Sequence, residues 1–334
     1  MDFYFVELTL DINVPRARDV GFEPEIIQKK TVIDESLEAQ IISMYAKGMT
    51  VRDIADHIKS LYGTELSAGS VSNITDKVME DAKEWYSRTL DTFYPVVFMD
   101  AVHFKVREEG HIITKAAYVA LGINADGYKD ILGIWIGGNE GAKFWLKVCN
   151  KLKNRGVQDI LIVCIDGLKD FPDAIHTVFP ETCIQLCIIH QIRNTLKYIS
   201  YKDQKSFMSD LKKVYGAESK DIALSNLANM QDSWKKYAPV LDSWFDKWES
   251  LSAYFCYGYQ IRRLIYTINT IEGFNRQLRK VTKIKAAFPD DEALRKTLYL
   301  ITRDIIKKWS VPYRDWGETY GQFVIEFDDR AKTA

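Results

Sequence analysis

The sequence predicts an α/β protein: a mixed five-stranded sheet with flanking helices, preceded by a small helical unit and interrupted by an all-helical insertion. Three observations lead to this prediction. Strand-like apolar runs begin after Tyr94-Pro95, strands then alternate with helices, and residues 202–261 carry only helical periodicity. The predicted division is an N-terminal arm (1–33), a helical unit (34–90), a core (91–201 and 262–325) and a helical insertion (202–261).

The unit at residues 34–90 has the pattern of a helix-turn-helix. Gly48 ends a first helix, and Thr50 caps a second, with Asp53 three positions later as a capping-box partner. Ser67 can cap a third helix. Short helices joined by glycine turns are typical of helix-turn-helix DNA-binding units.

The third helix would present Ser70, Asn73 and Lys77 outward, where they could hydrogen-bond to bases or phosphates. Three acidic residues between positions 76 and 81 lie on the same helix and would repel a phosphate backbone. The alternative is therefore a helical packing unit that never enters a DNA groove.

The core contains five predicted strands, at Phe98–Val106, Ile112–Ile123, Ile131–Ile136, Ile160–Ile165 and Ile184–Ile189. Helical periods follow at Ala142–Leu152, Pro172–Phe179 and His190–Ile199. The first three strands are joined by short turns and should be antiparallel. The later strands are joined through helices and should be parallel to a neighbour. The predicted order is β-β-β-α-β-α-β-α.

Composition limits the classes of partner. The net charge is −1 and the pI about 6.5, so binding to nucleic acid would depend on local basic patches. Five cysteines without regular spacing favour a reducing compartment. The sequence has no apolar run of about 18 residues and no basic start typical of a secretory signal. We expect a cytoplasmic protein with no membrane partner.

Two predicted strands deliver an aspartate. Asp100 interrupts the first strand, and Asp166 directly follows the fourth. A buried carboxylate is costly unless it is paired, hydrogen-bonded or bound to metal. Either aspartate alone is typical of a turn or a helix cap, but two on neighbouring strands indicate a shared oxygen-ligand site for a hard divalent cation.

A third acid, Glu272, opens a basic helix. Asn269 or Thr270 could cap this helix, which would place Glu272 in its first turn, where the helix dipole favours a carboxylate. The segment 273–289 contains five basic residues and no acidic one, among them Arg276, Arg279, Lys280 and Lys283. These residues form either a solvated charged face or a track for a phosphate backbone.

The motifs around these acids resemble a known family. Met-Asp-Ala-Val-His-Phe-Lys-Val-Arg at Asp100, Cys-Ile-Asp-Gly-Leu-Lys-Asp at Asp166 and Ile-Glu-Gly-Phe-Asn-Arg-Gln-Leu-Arg-Lys at Glu272 are similar to blocks of the IS256 group of bacterial insertion-sequence transposases, relatives of the Mutator-like elements. The segment Gln185–Asn194 is similar as well. The resemblance covers roughly residues 17–325, whereas residues 1–13 do not look like family sequence, which would fit a shortened N-terminal region.

The resemblance implies an RNase-H-like core and a DDE triad carried by Asp100, Asp166 and Glu272. Such a triad holds two Mg²⁺ (or Mn²⁺) ions about 4 Å apart for in-line displacement at phosphorus. The implied partners are the terminal inverted repeats of the element, target DNA and further copies of the chain on nucleoid DNA. The alternatives are a nuclease without strand transfer, and a truncated or inactive transposase that regulates through DNA binding.

Cys187 and His190 form a Cys-x-x-His signature that the family carries between its second aspartate and its glutamate. A zinc site would need two more ligands, and only Cys183 is nearby. The resemblance implies a position near the active site, and the role of the pair stays open. His103 should point to the sheet face opposite Asp100, because three positions along a strand change the face.

Overall fold

Five strands form one sheet in the order β3-β2-β1-β4-β5. The strands are β1 (Phe93–Glu108), β2 (His111–Ile123), β3 (Lys129–Gly137), β4 (Asp159–Ile165) and β5 (Cys183–Leu186). The computed structural model describes residues 35–138, 141–167, 171–266, 269–283 and 285–332. The predicted arm at 1–33 lies outside these ranges.

The strand directions are mixed, as predicted. β1 is antiparallel to β2, β2 is antiparallel to β3, and β4 is parallel to both β1 and β5. This order and these directions are the RNase-H-like arrangement that the resemblance implied, so the predicted fold class is confirmed. β5 is shorter than predicted, because the chain turns into a helix at Ile188 instead of continuing the strand to Ile189.

In the described part of the chain, four helices precede the sheet: α1 (Glu35–Ala46), α2 (Val51–Tyr62), α3 (Ala68–Asp76) and α4 (Val78–Ser87). Further helices alternate with or follow the later strands: α5 (Ala142–Asn154) after β3, α6 (Phe171–Val178) after β4 and α7 (Ile188–Leu196) after β5. The segment after them contains α8 (Tyr201–Tyr215), α9 (Lys220–Ser233), α10 (Ala238–Asp246), α11 (Trp248–Leu251) and α12 (Tyr259–Ile265). The last helices are α13 (Asn269–Thr282), α14 (Asp291–Ile306), α15 (Trp316–Phe327) and α16 (Asp329–Lys332). No helix within the described ranges is long and apolar enough to cross a membrane.

The chain divides into two compact units, residues 1–40 and 41–334. In the second unit, helices cover both faces of the sheet. Val119 lies directly across from Asp100, so the next residue of β2, Tyr118, points to the other face. Trp145 of α5 packs edge-on against Tyr118, with ring centroids 4.8 Å apart. On the Asp100 face, α13 contacts β1 and α14 contacts β3.

The predicted caps of the helical unit are present. Thr50 and Asp53 form a capping box at α2, and the hydroxyl of Ser67 accepts the backbone N–H of Ser70 at α3. The third predicted helix is broken, however, because α3 ends at Asp76 and α4 begins at Val78. The expectation that one helix continues to residue 81 is therefore wrong.

The last turn of α3 is anchored to α14. Lys296, which is 5% exposed, donates to the hydroxyl of Thr75 and to the carboxylate of Asp76. Because an unpaired buried ammonium would be costly, this contact fixes the end of α3 to α14. The outward face of α3 is left unobstructed by that contact.

Candidate active site

Asp100 lies in the middle of β1 and is buried, with 7% of its surface exposed. One carboxylate oxygen accepts the side-chain amide of Asn275 at 2.7 Å, and the other accepts the backbone N–H of Ala101 at 2.8 Å. Burial raises the pKa of Asp100 above its ordinary value, and His190, these two hydrogen bonds and Arg279 offset part of that effect. The site therefore holds a carboxylate that lacks the compensation of a full ion pair.

Glu272 faces the same space from α13. This helix begins at Asn269, so Asn269 and Thr270 lie inside the helix and the predicted cap at either residue is wrong. Glu272 does lie in the first turn, as predicted. Its two oxygens accept both terminal nitrogens of Arg193, at 2.6 Å and 3.1 Å. A forked pair of this kind is among the stronger side-chain contacts.

Asp100 and Glu272 share a cavity of about 540 Å³. Its described lining is Asp100, Ala101, His190, Arg193, Glu272, Asn275, Arg276 and Arg279. Three arginines thus face two carboxylates in the part of the lining that the structure describes. The guanidinium charges therefore exceed the carboxylate charges in this lining, and such a cavity is suited to a negatively charged ligand.

Asp166 directly follows β4. Since Met99 of β1 pairs with Ile165 of β4, Asp100 and Asp166 occupy the next positions on two adjacent parallel strands. Neighbouring strands lie about 4.8 Å apart, so the two backbones are close at this level. Among the described residues, however, no three His, Cys, Asp or Glu side chains are grouped closely enough to hold one metal ion.

The chemistry of the donors fits a hard divalent cation. Mg²⁺ prefers carboxylate and amide oxygens. The side-chain oxygen of Asn275 is buried and accepts no hydrogen bond within the described structure, although the amide nitrogen of the same residue is used on Asp100. A buried oxygen without a donor can be satisfied by a cation or by water.

Cys187 and His190 are placed by the start of α7. The thiol of Cys187 caps this helix by accepting the backbone N–H of His190 at 3.3 Å, and His190 lines the cavity. Burial raises the pKa of the Cys187 thiol to about 12, which keeps it protonated near neutral pH. The Cys-x-x-His spacing therefore corresponds to a helix cap at Cys187 and a cavity-lining side chain at His190. Within the described part of the chain, no group of three or more His, Cys, Asp and Glu side chains is arranged to hold a metal ion.

The predicted DNA-binding residues occupy two regions. Arg276 and Arg279 line the cavity, while Lys280 and Lys283 are exposed on the last turn of α13 and just beyond it. In the helical unit, Asn73 is exposed and Ser70 is half-buried, with its hydroxyl 2.9 Å from that of Ser67. Lys77 is exposed at the break between α3 and α4, not on an extended helix face.

Sequence reasoning did not identify Asn275 and Arg193 as site residues. Asn275 lies three positions after Glu272 on α13, so helical spacing could have identified it. Arg193 lies three positions after His190 on α7 and could have been found in the same way. Neither spacing indicates that the two helices face one cavity.

The family model described as "Transposase, Mutator family" matches residues 5–311. The chain belongs to the Mutator family of transposases. The resemblance drawn from the motifs is thereby confirmed. The expectation that residues 1–13 fall outside the family is wrong from residue 5 onward, since the match begins there.

Curated relatives of this transposase chain carry related names. The transposase for insertion sequence element ISRM3 of Rhizobium meliloti (strain 1021) is 43% identical over 323 residues, covering 96% of this chain and 81% of the relative. The transposase for IS256 in transposon Tn4001 of Staphylococcus aureus is 29% identical over 90% of this chain and 78% of its own length. A crystal structure of a pre-cleavage Mos1 transpososome is 11% identical with a TM-score of 0.16, covering 68% of this chain and 82% of that one. That structural likeness is too weak to bear on function.

Proposed function

We propose that this Mutator-family protein is a DNA transposase of the DDE class, which cuts and joins DNA at the ends of an insertion sequence. The observation that carries the proposal is the meeting of Asp100 and Glu272, from the sheet and from α13, at one cavity also lined by arginines. Asp166, next to Asp100 across the β1–β4 pair, completes the proposed triad.

To hold two divalent ions, Mg²⁺ or Mn²⁺, the three carboxylates would move closer together than they lie in the described structure. Bound ions supply Lewis-acid activation of the attacking and leaving oxygens at phosphorus. In this chain, Asn275 orients the Asp100 carboxylate through its amide, and the sheet register sets the spacing of Asp100 and Asp166. Water and, later, a DNA 3′-hydroxyl would use the same in-line position, so one site serves hydrolysis and strand transfer.

The DNA backbone would enter along α13. Arg276 and Arg279 line the cavity, and Lys280 and Lys283 continue the positive charge toward the end of the helix. Lysine and arginine contacts to phosphates supply sequence-independent affinity. The names of the relatives, transposases of insertion sequences, support DNA as the substrate.

Recognition of the element would lie in the helical unit at residues 34–90. Ser70, Asn73 and Lys77 would read the terminal inverted repeats, while the core acts on these ends and on target DNA. Two ends must be held together for joining, so we propose a homo-oligomer assembled on nucleoid DNA. Residues 202–261 would then be a helical insertion within the catalytic core.

A strand-transfer assay with Mg²⁺ and DNA carrying candidate element ends tests this proposal. Replacing Asp100 or Asp166 by asparagine, or Glu272 by glutamine, should abolish both cleavage and joining without loss of DNA binding. The matched control is Asp173→Asn, which removes an exposed carboxylate in the first turn of α6 and should leave both steps intact.

Other outcomes would identify a different function. Cleavage that depends on the three acids but never yields joined products would indicate a nuclease without strand transfer. Binding to element ends with no cleavage by the unaltered chain would indicate a DNA-binding regulator. Cleavage that survives all three substitutions would exclude the proposed triad.

A further inference from the structure

The guanidinium of Arg193 donates to both carboxylate oxygens of Glu272. The two contacts measure 2.6 Å and 3.1 Å, from separate guanidinium nitrogens to separate carboxylate oxygens. While this fork is closed, the positive guanidinium occupies one lone pair of each Glu272 oxygen and so weakens Glu272 as a ligand for another cation. Glu272 therefore exists in a paired form that competes with its proposed use as a ligand.

The pair can open, because Arg193 is the more exposed partner. Its side chain is 54% exposed, against 24% for Glu272. The forked geometry strengthens this pair, but solvent reaches the guanidinium and competes with the contact, so the pair can exchange one anion for another. Arg193 can thus leave Glu272 without exposing a buried core, provided that another anion takes its guanidinium.

The cavity offers a place for that anion. Arg193 shares the described lining with Arg276 and Arg279, so the positive groups outnumber the carboxylates of Asp100 and Glu272 there. A guanidinium fork matches two phosphate oxygens as well as it matches two carboxylate oxygens. The phosphates of DNA supply such oxygens. Their negative charge would also balance the positive charge of metal ions bound at Asp100 and Glu272.

We propose that Arg193 is a phosphate-binding residue of the active site, which holds Glu272 in the absence of DNA and exchanges it for a substrate phosphate. This inference rests on the proposed function and adds a role for a residue outside the triad. Its consequence is coupling: DNA frees Glu272 for metal, and metal on Glu272 frees Arg193 for DNA. Coupling of this kind is reciprocal, so each ligand should raise the affinity for the other.

The test measures Mn²⁺ binding by the full chain, with Mn²⁺ alone and with a short random-sequence DNA duplex. In Arg193→Ala, Glu272 is free from the start, so Mn²⁺ alone should bind about two- to fivefold more tightly than in the unaltered chain. The duplex should no longer strengthen Mn²⁺ binding, and the salt slope of DNA binding should fall by about one unit. Arg193→Lys keeps the charge but not the fork, and its Mn²⁺ affinity should lie between that of the unaltered chain and that of Arg193→Ala.

The matched control is Lys197→Ala, an exposed cation directly after the end of α7, whose ammonium bonds only to Asn194 in the described contacts. It should leave Mn²⁺ affinity and its dependence on DNA unchanged. Unaltered or weaker Mn²⁺ binding in Arg193→Ala would overturn the proposal, as would undiminished strengthening by DNA.

Mn²⁺ binding by Asp100→Asn distinguishes a wrong role for Arg193 from a wrong metal site. If Asp100→Asn loses Mn²⁺ binding while Arg193→Ala behaves like the unaltered chain, the metal site stands and only the role of Arg193 is wrong. If Asp100→Asn binds Mn²⁺ normally, the proposed metal site is wrong and the role of Arg193 fails with it.

Discussion

The side-chain amide of Asn275 donates a 2.7 Å hydrogen bond to the buried carboxylate of Asp100 and so joins α13 to β1. Asn275 lies one helical turn after Glu272. This contact therefore links the strand and the helix that carry two of the proposed acids. It also stabilises the charged form of a carboxylate that burial disfavours.

Replacing Asn275 by alanine should lower metal-dependent DNA cleavage about 10- to 100-fold, the range found for groups that orient metal ligands. Without the amide, the Asp100 carboxylate loses its side-chain donor and can rotate. Mn²⁺ affinity and cleavage rate are the measurements. Gln277→Ala, an exposed amide on the same helix, is the control and should change neither. Cleavage at the normal rate in Asn275→Ala would show that Asp100 needs no such support.

The exposed positive charge of α13 can be tested through salt dependence. Replacing Arg276, Arg279 and Lys283 together by alanine should weaken DNA binding and reduce the salt slope by about 0.9 per lost phosphate contact, or roughly three units in all. Titrations at several salt concentrations measure the slope. A control variant with the same charge change at three exposed positions carries alanine at Lys307, Lys308 and Arg314. Equal slopes for the two triple variants would mean that this part of α13 is merely solvated.

Base readout by the helical unit depends on Asn73, the exposed amide of α3. Replacing Asn73 by alanine should cost about 1–3 kcal/mol in affinity for the cognate element end, because an amide that pairs with a base edge discriminates by that amount. Affinity for random DNA should barely change, since no charge is removed.

The same substitution at Asn229, an exposed residue of α9, is the control for Asn73. A similar loss on cognate and random DNA would indicate a phosphate contact. No loss on either would support the alternative that residues 34–90 are a packing unit.

The Cys-x-x-His spacing predicts opposite results for two small substitutions. Cys187→Ser keeps a capping acceptor at the start of α7 and should retain stability and cleavage. Cys187→Ala removes the acceptor and should lower the free energy of unfolding by about 0.5–2 kcal/mol, with slower cleavage because His190 and Arg193 lose their fixed positions. Urea unfolding and cleavage rates measure the two effects. Equal damage from serine and alanine would point to thiol chemistry instead of capping.

Lys285 should make stability depend on alkaline pH. Its ammonium lies over the rings of Tyr45 and Phe288, at 4.4 Å and 5.2 Å. Burial and the nearby Lys296 lower the pKa of Lys285 from 10.5 to about 8, although the two aromatic faces offset part of this by favouring the cation. Below pH 8, Lys285 is charged in both the folded and the unfolded chain, and the cost of burying that charge lowers the free energy of unfolding.

Between about pH 8 and 10.5 the unfolded chain binds the extra proton, so stability should rise with pH through that window. Lys285→Met should therefore raise the melting temperature at pH 7, and the gain should shrink between pH 8 and 10.5. Lys307→Met, at an exposed position, serves as the control. A gain from Lys285→Met that is constant across this pH range would show that Lys285 remains charged in the folded chain.

Local sequence patterns determined much of the fold. Apolar runs of β-branched and aromatic residues predicted the strands, and short turns or intervening helices predicted which neighbours are antiparallel or parallel. Thr50 and Ser67 mark helix starts because a cap is a contact between residues three positions apart. The helix boundary that was wrong near Asp76 lies where a distant residue, Lys296 of α14, binds the end of α3, and local periodicity does not show such a contact.

The sequence also supplied the acids of the proposed site, because an aspartate in an apolar run and a glutamate at the start of a basic helix are visible without a structure. Only the tertiary structure decided which other side chains meet them. Asn275 is 175 residues from Asp100, and Arg193 is 79 residues from Glu272. Periodicity fixes the face of an element on which a residue lies, but the partner of that face follows from sheet register and helix docking, which are set by the packing of the whole core.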